Sequence, residues 1–202
     1  MAYADDLAVA LKEELGDRVK FYSGWRTRGK GDFAPGRPVA MVLHHTAGAA
    51  TDSTDPRHPG NQTGANNGVV KYVANHPQYD VPCSNFCLDR DGTVYLMCAK
   101  WTYHAGVGSF RGSPWSILGV PDNSANSYCL GVEIVSKGLK DDLTAAQWES
   151  LAGLALAVSR ASRWKCNTST LRLPRHKDWA PTRKVDIKAS NAKVQTQIRK
   201  YL

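Results

Sequence analysis

Apolar positions recur at helical spacing in two long stretches of the chain. In "MAYADDLAVALKEELG", Leu7, Val9, Leu11 and Leu15 supply an apolar stripe, and Gly16 stops it. "LTAAQWESLAGLALAVSRASRW" (143–164) is the clearest helix: Thr144 and Gln147 have the spacing of a capping box, and apolar residues continue to Trp164. Continuous apolar runs without polar alternation predict buried strands over 39–45, which ends in "MVLHH", and over 126–136, "NSYCLGVEIVS". "SNFCLDRDGTVYLM" predicts a hairpin, two β-rich runs around the turn Asp-Arg-Asp-Gly. Weaker patterns predict a short strand within 18–25, a helix in "NGVVKYVANHP" ended by Pro77, and a final helix within 189–202. "RTRGKGDFAPGRP" is a connector, and residues 46–66, rich in Gly, Pro, Asn and Asp, predict a long exposed loop of the kind that is usually functional. Helices and strands mix without strict alternation. The expected fold is therefore mixed α/β, a central mixed β-sheet flanked by helices.

Composition changes this picture little. A chain of 202 residues with 42% apolar content fits one globular domain large enough to fold without staples. Its five cysteines, an odd number with no CxxC pair, point to free buried thiols and a reducing cytoplasm, with one disulfide left open. The first residues lack the basic region of a secretory signal, and no apolar stretch is long enough to span a membrane. Charge matters more. A net charge of +8 favours an anionic partner, or else simply a solvated basic surface. No basic motif interleaved with aromatics supports a nucleic-acid partner, and none is expected.

The candidate chemistry sits in two places. His44 and His45 end the strand over 39–45, where one imidazole suits packing and the other suits a role as neutral nitrogen ligand. "HKDWAPTRKVDI" (176–187) follows a short extended piece and holds His176 and Asp186 ten positions apart in a loop that can fold back on itself. His44, His176 and Asp186 together make two imidazoles and a carboxylate, which with a fourth position open is a catalytic zinc arrangement. The spacing alone is a modest signal, because His44 and His176 lie far apart in the chain. Glu133 strengthens it: Gly131, Glu133 and Val135 share one strand face, and only the glutamate is polar. A carboxylate so placed is either on a solvated face or positioned for proton transfer. Lys184 is either a surface lysine or the charge that stabilises an oxyanion.

With these residues in view, the order of "VLHHTAG", "RDGTVY", "YHAGVGSFRG", "LGVEIVSKG" and "HKDWAPTRKVDI" resembles the type 2 N-acetylmuramoyl-L-alanine amidases, which share a fold with the peptidoglycan recognition proteins. The similarity spans about residues 38–190. It implies a zinc cleft on one side of the sheet and one zinc ion per chain, held by His44, His176 and Asp186. It implies Glu133 as catalytic glutamate, Lys184 as the lysine beside the metal, and bacterial peptidoglycan as substrate. The substrate-binding candidates are His104 of "YHAG", His45, and Trp115, whose ring, like that of Phe110, either stacks on substrate or closes a local core. In some relatives a catalytic tyrosine precedes "RDGTV", and here Ser84 stands near that place; serine cannot donate like a phenol, so the acid–base role falls to Glu133. The organisation expected is an N-terminal helix and connector (1–37) packed on a zinc amidase domain (38–202), acting as a monomer without membrane insertion. A phage endolysin, made in the host cytoplasm without a signal peptide and acting on the wall after release, fits best. A non-catalytic peptidoglycan-binding module and a cytoplasmic muropeptide-recycling amidase are the competing readings.

Overall fold

The computed structural model describes residues 2–47, 68–136, 138, 141–164 and 171–202. In chain order the elements are α1 (Tyr3–Leu15), β1 (Val19–Phe21), β2 (Ala40–His45), α2 (Gly68–Ala74), β3 (Phe86–Leu88), β4 (Val94–Leu96), α3 (Ala125–Tyr128), β5 (Cys129–Ile134), α4 (Ala145–Ala161), α5 (His176–Trp179) and α6 (Asn191–Arg199). The five strands form one mixed sheet in the order β1-β4-β3-β5-β2. Among the described residues only the β3–β4 hairpin is antiparallel, and the other three pairings are parallel.

Both faces of this sheet are covered, which is why β2 and β5 read as unbroken apolar runs. On one face Met41, Leu43, Phe86, Leu88, Leu96, Leu130, Val132 and Ile134 meet α1, α4 and α6 in the largest core cluster. The helices approach closely there: a Cβ on Gly153 of α4 would stand 2.8 Å from Leu15 Cδ2 and 3.1 Å from the Glu14 carbonyl of α1. Glycine is what that crossing admits. On the other face Ala40 and Val42 pack with Phe110 and Trp179, while Cys87 and Tyr95 pack with Val70 and Val73 of α2. The register places His44 beside Glu133, and Glu133 beside Cys87, on this second face.

The free edge of β2 is covered by residues 171–175. Met41 N–H donates to the Arg172 carbonyl (2.9 Å) and Leu43 N–H to the Pro174 carbonyl (2.8 Å). This short extended piece delivers His176 to the end of β2.

Three expectations need correction. The strand expected over 126–136 begins only at Cys129, because its first residues form the helical turn α3. The helix expected to reach Pro77 stops at Ala74. A residue before proline is disfavoured in helical conformation, and the ring of His76 instead accepts from Gln78 N–H (3.2 Å). Within 176–187, expected to be loop, α5 forms one turn; the Arg175 backbone N–H and guanidinium both bond the Asp178 carboxylate. A 3-10 turn at Pro114–Leu118, capped by Ser113, was not anticipated. Most of the long loop expected over 46–66 lies outside the described residues, as does Cys166. Cys83, Cys87, Cys98 and Cys129 are free thiols. No described helix is long and apolar enough to cross a membrane.

Candidate metal centre and cleft

His44 comes from the end of β2, His176 from the first turn of α5 and Asp186 from the segment after it. Their side chains converge although 132 positions separate the two histidines. His44 Nδ1 lies 2.8 Å from His176 Nδ1, His176 Nδ1 lies 3.1 Å from Asp186 Oδ2, and His44 Nδ1 lies 3.8 Å from the same oxygen. All three residues are buried. Among the described residues they form the one group of His, Cys, Asp and Glu whose ligand atoms stand close enough to share a metal ion.

The chemistry of this group fits zinc. A tetrahedral ion with bonds of about 2.0–2.1 Å spaces its ligand atoms about 3.3 Å apart, and the three observed separations bracket that value. His176 Nε2 lies 3.0 Å from the Ala105 carbonyl, which only accepts, so that nitrogen carries a hydrogen. In the neutral ring Nδ1 then presents a lone pair toward His44 and Asp186. Three acceptor atoms meeting in a buried place require a positive charge among them. Burial first, then the neighbouring imidazoles, hold His44 well below the usual histidine range, so its ring is neutral. Burial raises the Asp186 carboxyl, but the imidazoles of His176 and His45 and a backbone hydrogen bond together keep the group below the usual carboxylate range.

Glu133 and Lys184 line a cleft of about 190 Å³ beside this triad. Glu133 Oε2 is buried and has no hydrogen-bond partner among the described residues. Burial first, then the Asp186 carboxylate, push its carboxyl up to about 8 against the opposing charge of Lys184. The group is thus poised to hold or release a proton near neutral pH.

The other sequence candidates lie as follows. His45 is half-buried; its Nδ1 accepts from Ala47 N–H (3.0 Å), and its Nε2 faces Asp186 Oδ1 at 3.9 Å, beyond hydrogen-bond range. His104 is buried beside His44 and, like His45, also lines the cleft; its Nδ1 lies 3.1 Å from His44 Nε2 and its Nε2 3.0 Å from the Cys129 carbonyl. Burial holds its pKa down to about 3. Trp115 rests on the cluster of Phe110 and Trp179, and its indole N–H donates to Asp178 (3.2 Å). Ser84 is fully buried, with its hydroxyl unpaired among the described residues.

An aromatic wall went unnoticed in the sequence. Tyr72, His76, Tyr79 and Tyr103 also line the cleft. Tyr72 Oη lies 2.8 Å from His76 Nε2, the rings of His76 and Tyr79 stack at 4.5 Å, and Tyr79 reaches Tyr103 at 5.4 Å. Tyr72 and His76, four positions apart in the stretch expected to be helical, were the available signal, whereas Tyr79 follows Pro77 and gave none.

Comparison with known proteins agrees with this architecture. The pattern that defines the N-acetylmuramoyl-L-alanine amidase family (Amidase_2) matches residues 34–188. No sequence among the curated proteins matches the chain. The fold is similar to that of the endolysin N-acetylmuramoyl-L-alanine amidase LysCS from Clostridium intestinale URNW, with a TM-score of 0.53 and 19% identity over 90% of this chain and 95% of that one. It is also similar to an AmpD structure (TM-score 0.51, 21% identity, 88% of this chain and 98% of that one). A third likeness is to PGRP-Hd from Alvinella pompejana (TM-score 0.51, 19% identity, 82% and 90%). Those three likenesses establish the fold, while the match over residues 34–188 establishes the family: this chain belongs to the N-acetylmuramoyl-L-alanine amidases of the Amidase_2 type.

Proposed function

We propose that the chain hydrolyses the amide between N-acetylmuramic acid and L-alanine in peptidoglycan, using one zinc ion held by His44, His176 and Asp186. The observation that carries this reading is the buried convergence of those three ligands beside a partnerless glutamate in one cleft. Bound at the triad, zinc would supply Lewis acidity toward the scissile carbonyl and lower the pKa of water to about 7.

The chain's own residues do the rest. Glu133 accepts the proton of the attacking water and returns it to the departing amine nitrogen. Lys184, in the same cleft, sets a positive charge against the tetrahedral oxyanion and also favours the ionised form of Glu133. The aromatic wall from Tyr72 to Tyr103 offers apolar faces with polar edges, which suits a sugar ring or stem peptide. His45 and Trp115 are the further candidates for substrate contact. A role in wall lysis rests on the net charge of +8, which draws the protein toward anionic wall polymers. Faster hydrolysis of soluble muropeptides than of intact wall would favour the recycling role instead.

Glu133→Gln tests the mechanism. The variant keeps the shape and the zinc site but cannot take a proton, so hydrolysis of a purified muropeptide should fall about 10²–10⁴-fold at unchanged zinc content. Activity within tenfold of the parent would move the base elsewhere.

A further inference from the structure

Two adjacent residues, His104 and Ala105, each touch one imidazole of the proposed metal triad. The Ala105 carbonyl sits 3.0 Å from His176 Nε2. His104 Nδ1 sits 3.1 Å from His44 Nε2. Hydrogen positions along the second contact follow by elimination. The Cys129 carbonyl, 3.0 Å from His104 Nε2, can only accept, so His104 Nε2 must carry a hydrogen. A neutral imidazole has one such hydrogen, and burial keeps His104 neutral. Its Nδ1 is therefore a bare acceptor, and His44 Nε2 must be the donor that faces it. The one N–H of neutral His44 is then spent on Nε2, and its Nδ1 lone pair is turned toward His176 and Asp186.

We propose that His104 is a positioning residue, a relay that carries the demand of the Cys129 carbonyl to His44 and fixes that ring in its ligating tautomer and orientation. This rests on the zinc reading of the triad. The surroundings are shaped to hold the relay. Gly131 lies beneath the ring: a Cβ there would stand 2.5 Å from His104 Cγ and 2.8 Å from Nδ1, so any side chain would push His104 off its partners. Asn85 ties the same strand to the segment that leads to His104. Its Oδ1 accepts from Gly131 N–H (2.9 Å), and its amide nitrogen donates to the Cys98 (2.9 Å) and Lys100 (2.7 Å) carbonyls. The dipeptide thus orients both imidazoles, one through a side chain and one through a backbone carbonyl. An outer partner on each histidine ligand is what a well-ordered zinc site requires.

Two measurements test this. Long-range proton–nitrogen spectra of the ¹⁵N-labelled, metal-free protein report which ring nitrogens carry hydrogen. His44 and His104 should both carry it on Nε2; a His44 ring with Nε2 bare overturns the relay. Zinc affinity by chelator competition is then compared for two variants. His104→Phe keeps the ring's bulk and loses the acceptor, and should bind zinc on the order of 10–100-fold more weakly. His104→Asn restores an acceptor at the position of Nδ1 and should recover most of that loss, which a merely space-filling role would not produce. Zinc affinity of His104→Phe within twofold of the parent also overturns the proposal. Should His104→Phe fail to fold, the tautomers of the parent protein decide alone. Failure of the parent to bind zinc would defeat the metal reading, while the metal-free spectra would still judge the relay.

Discussion

His44 and His45 are neighbours in sequence, yet they meet different surroundings. The alternation of a strand sends them to opposite sides, so only His44 lies on the face that carries Glu133. Its Nδ1 joins His176 and Asp186, whereas His45 bonds its own turn through Ala47 and lies beside the outer oxygen of Asp186. The two imidazoles therefore make separable predictions. His176→Ala should lose stoichiometric zinc and all measurable hydrolysis, because it removes one of the three buried side chains proposed to hold the metal. His45→Ala should still bind one zinc per chain, at reduced affinity at most, as measured by metal analysis after dialysis. Full zinc occupancy in His176→Ala, or none in His45→Ala, would redraw the ligand set. The pair of histidines was visible in the sequence, but only the parallel register of β2 and β5 places His44, and not His45, next to Glu133.

Elements decide how those residues are held. The start of α4 is secured by the reciprocal bonds of Thr144 and Gln147, each 3.0 Å, and by a bond from the Thr144 hydroxyl to the Arg90 carbonyl. Buried Gln147 also donates to the Val135 carbonyl (2.9 Å), just beyond β5, so the cap couples the helix to the strand of Glu133. Thr144→Ala should cost about 1 kcal/mol. For a chain of this size that lowers Tm by about 2–4 °C, while Thr144→Ser should retain most of the stability. Calorimetry on the three proteins checks this, and an unchanged Tm in Thr144→Ala would show that the cap is dispensable. The capping box, both long helices, the hairpin and the two buried strands were legible because each is specified by residues within a few positions of one another. α5 and the edge pairing of residues 171–175 were not, since they arise where the chain returns to β2 from far along the sequence. The aromatic wall was missed for a related reason. Tyr103 joins Tyr72, His76 and Tyr79 only through folding, and a helical spacing of rings by itself more often marks a core.

At the scale of the molecule, charge and family point the same way. A net charge of +8 on a chain belonging to the N-acetylmuramoyl-L-alanine amidases favours encounter with an anionic wall. Such attraction between exposed charges is screened over about 10 Å at moderate salt. Wall hydrolysis should therefore slow as ionic strength rises, while hydrolysis of a small soluble muropeptide should change far less. Equal salt dependence on both substrates would remove charge steering from the account. The central claim is tested most directly by incubating purified cell wall with the protein, with the protein plus a chelator, and with zinc restored. New N-terminal L-alanine should appear, disappear with the chelator and return with zinc. Binding to the wall without new amino termini, or release of L-alanine termini that persists after the metal is stripped, would contradict it.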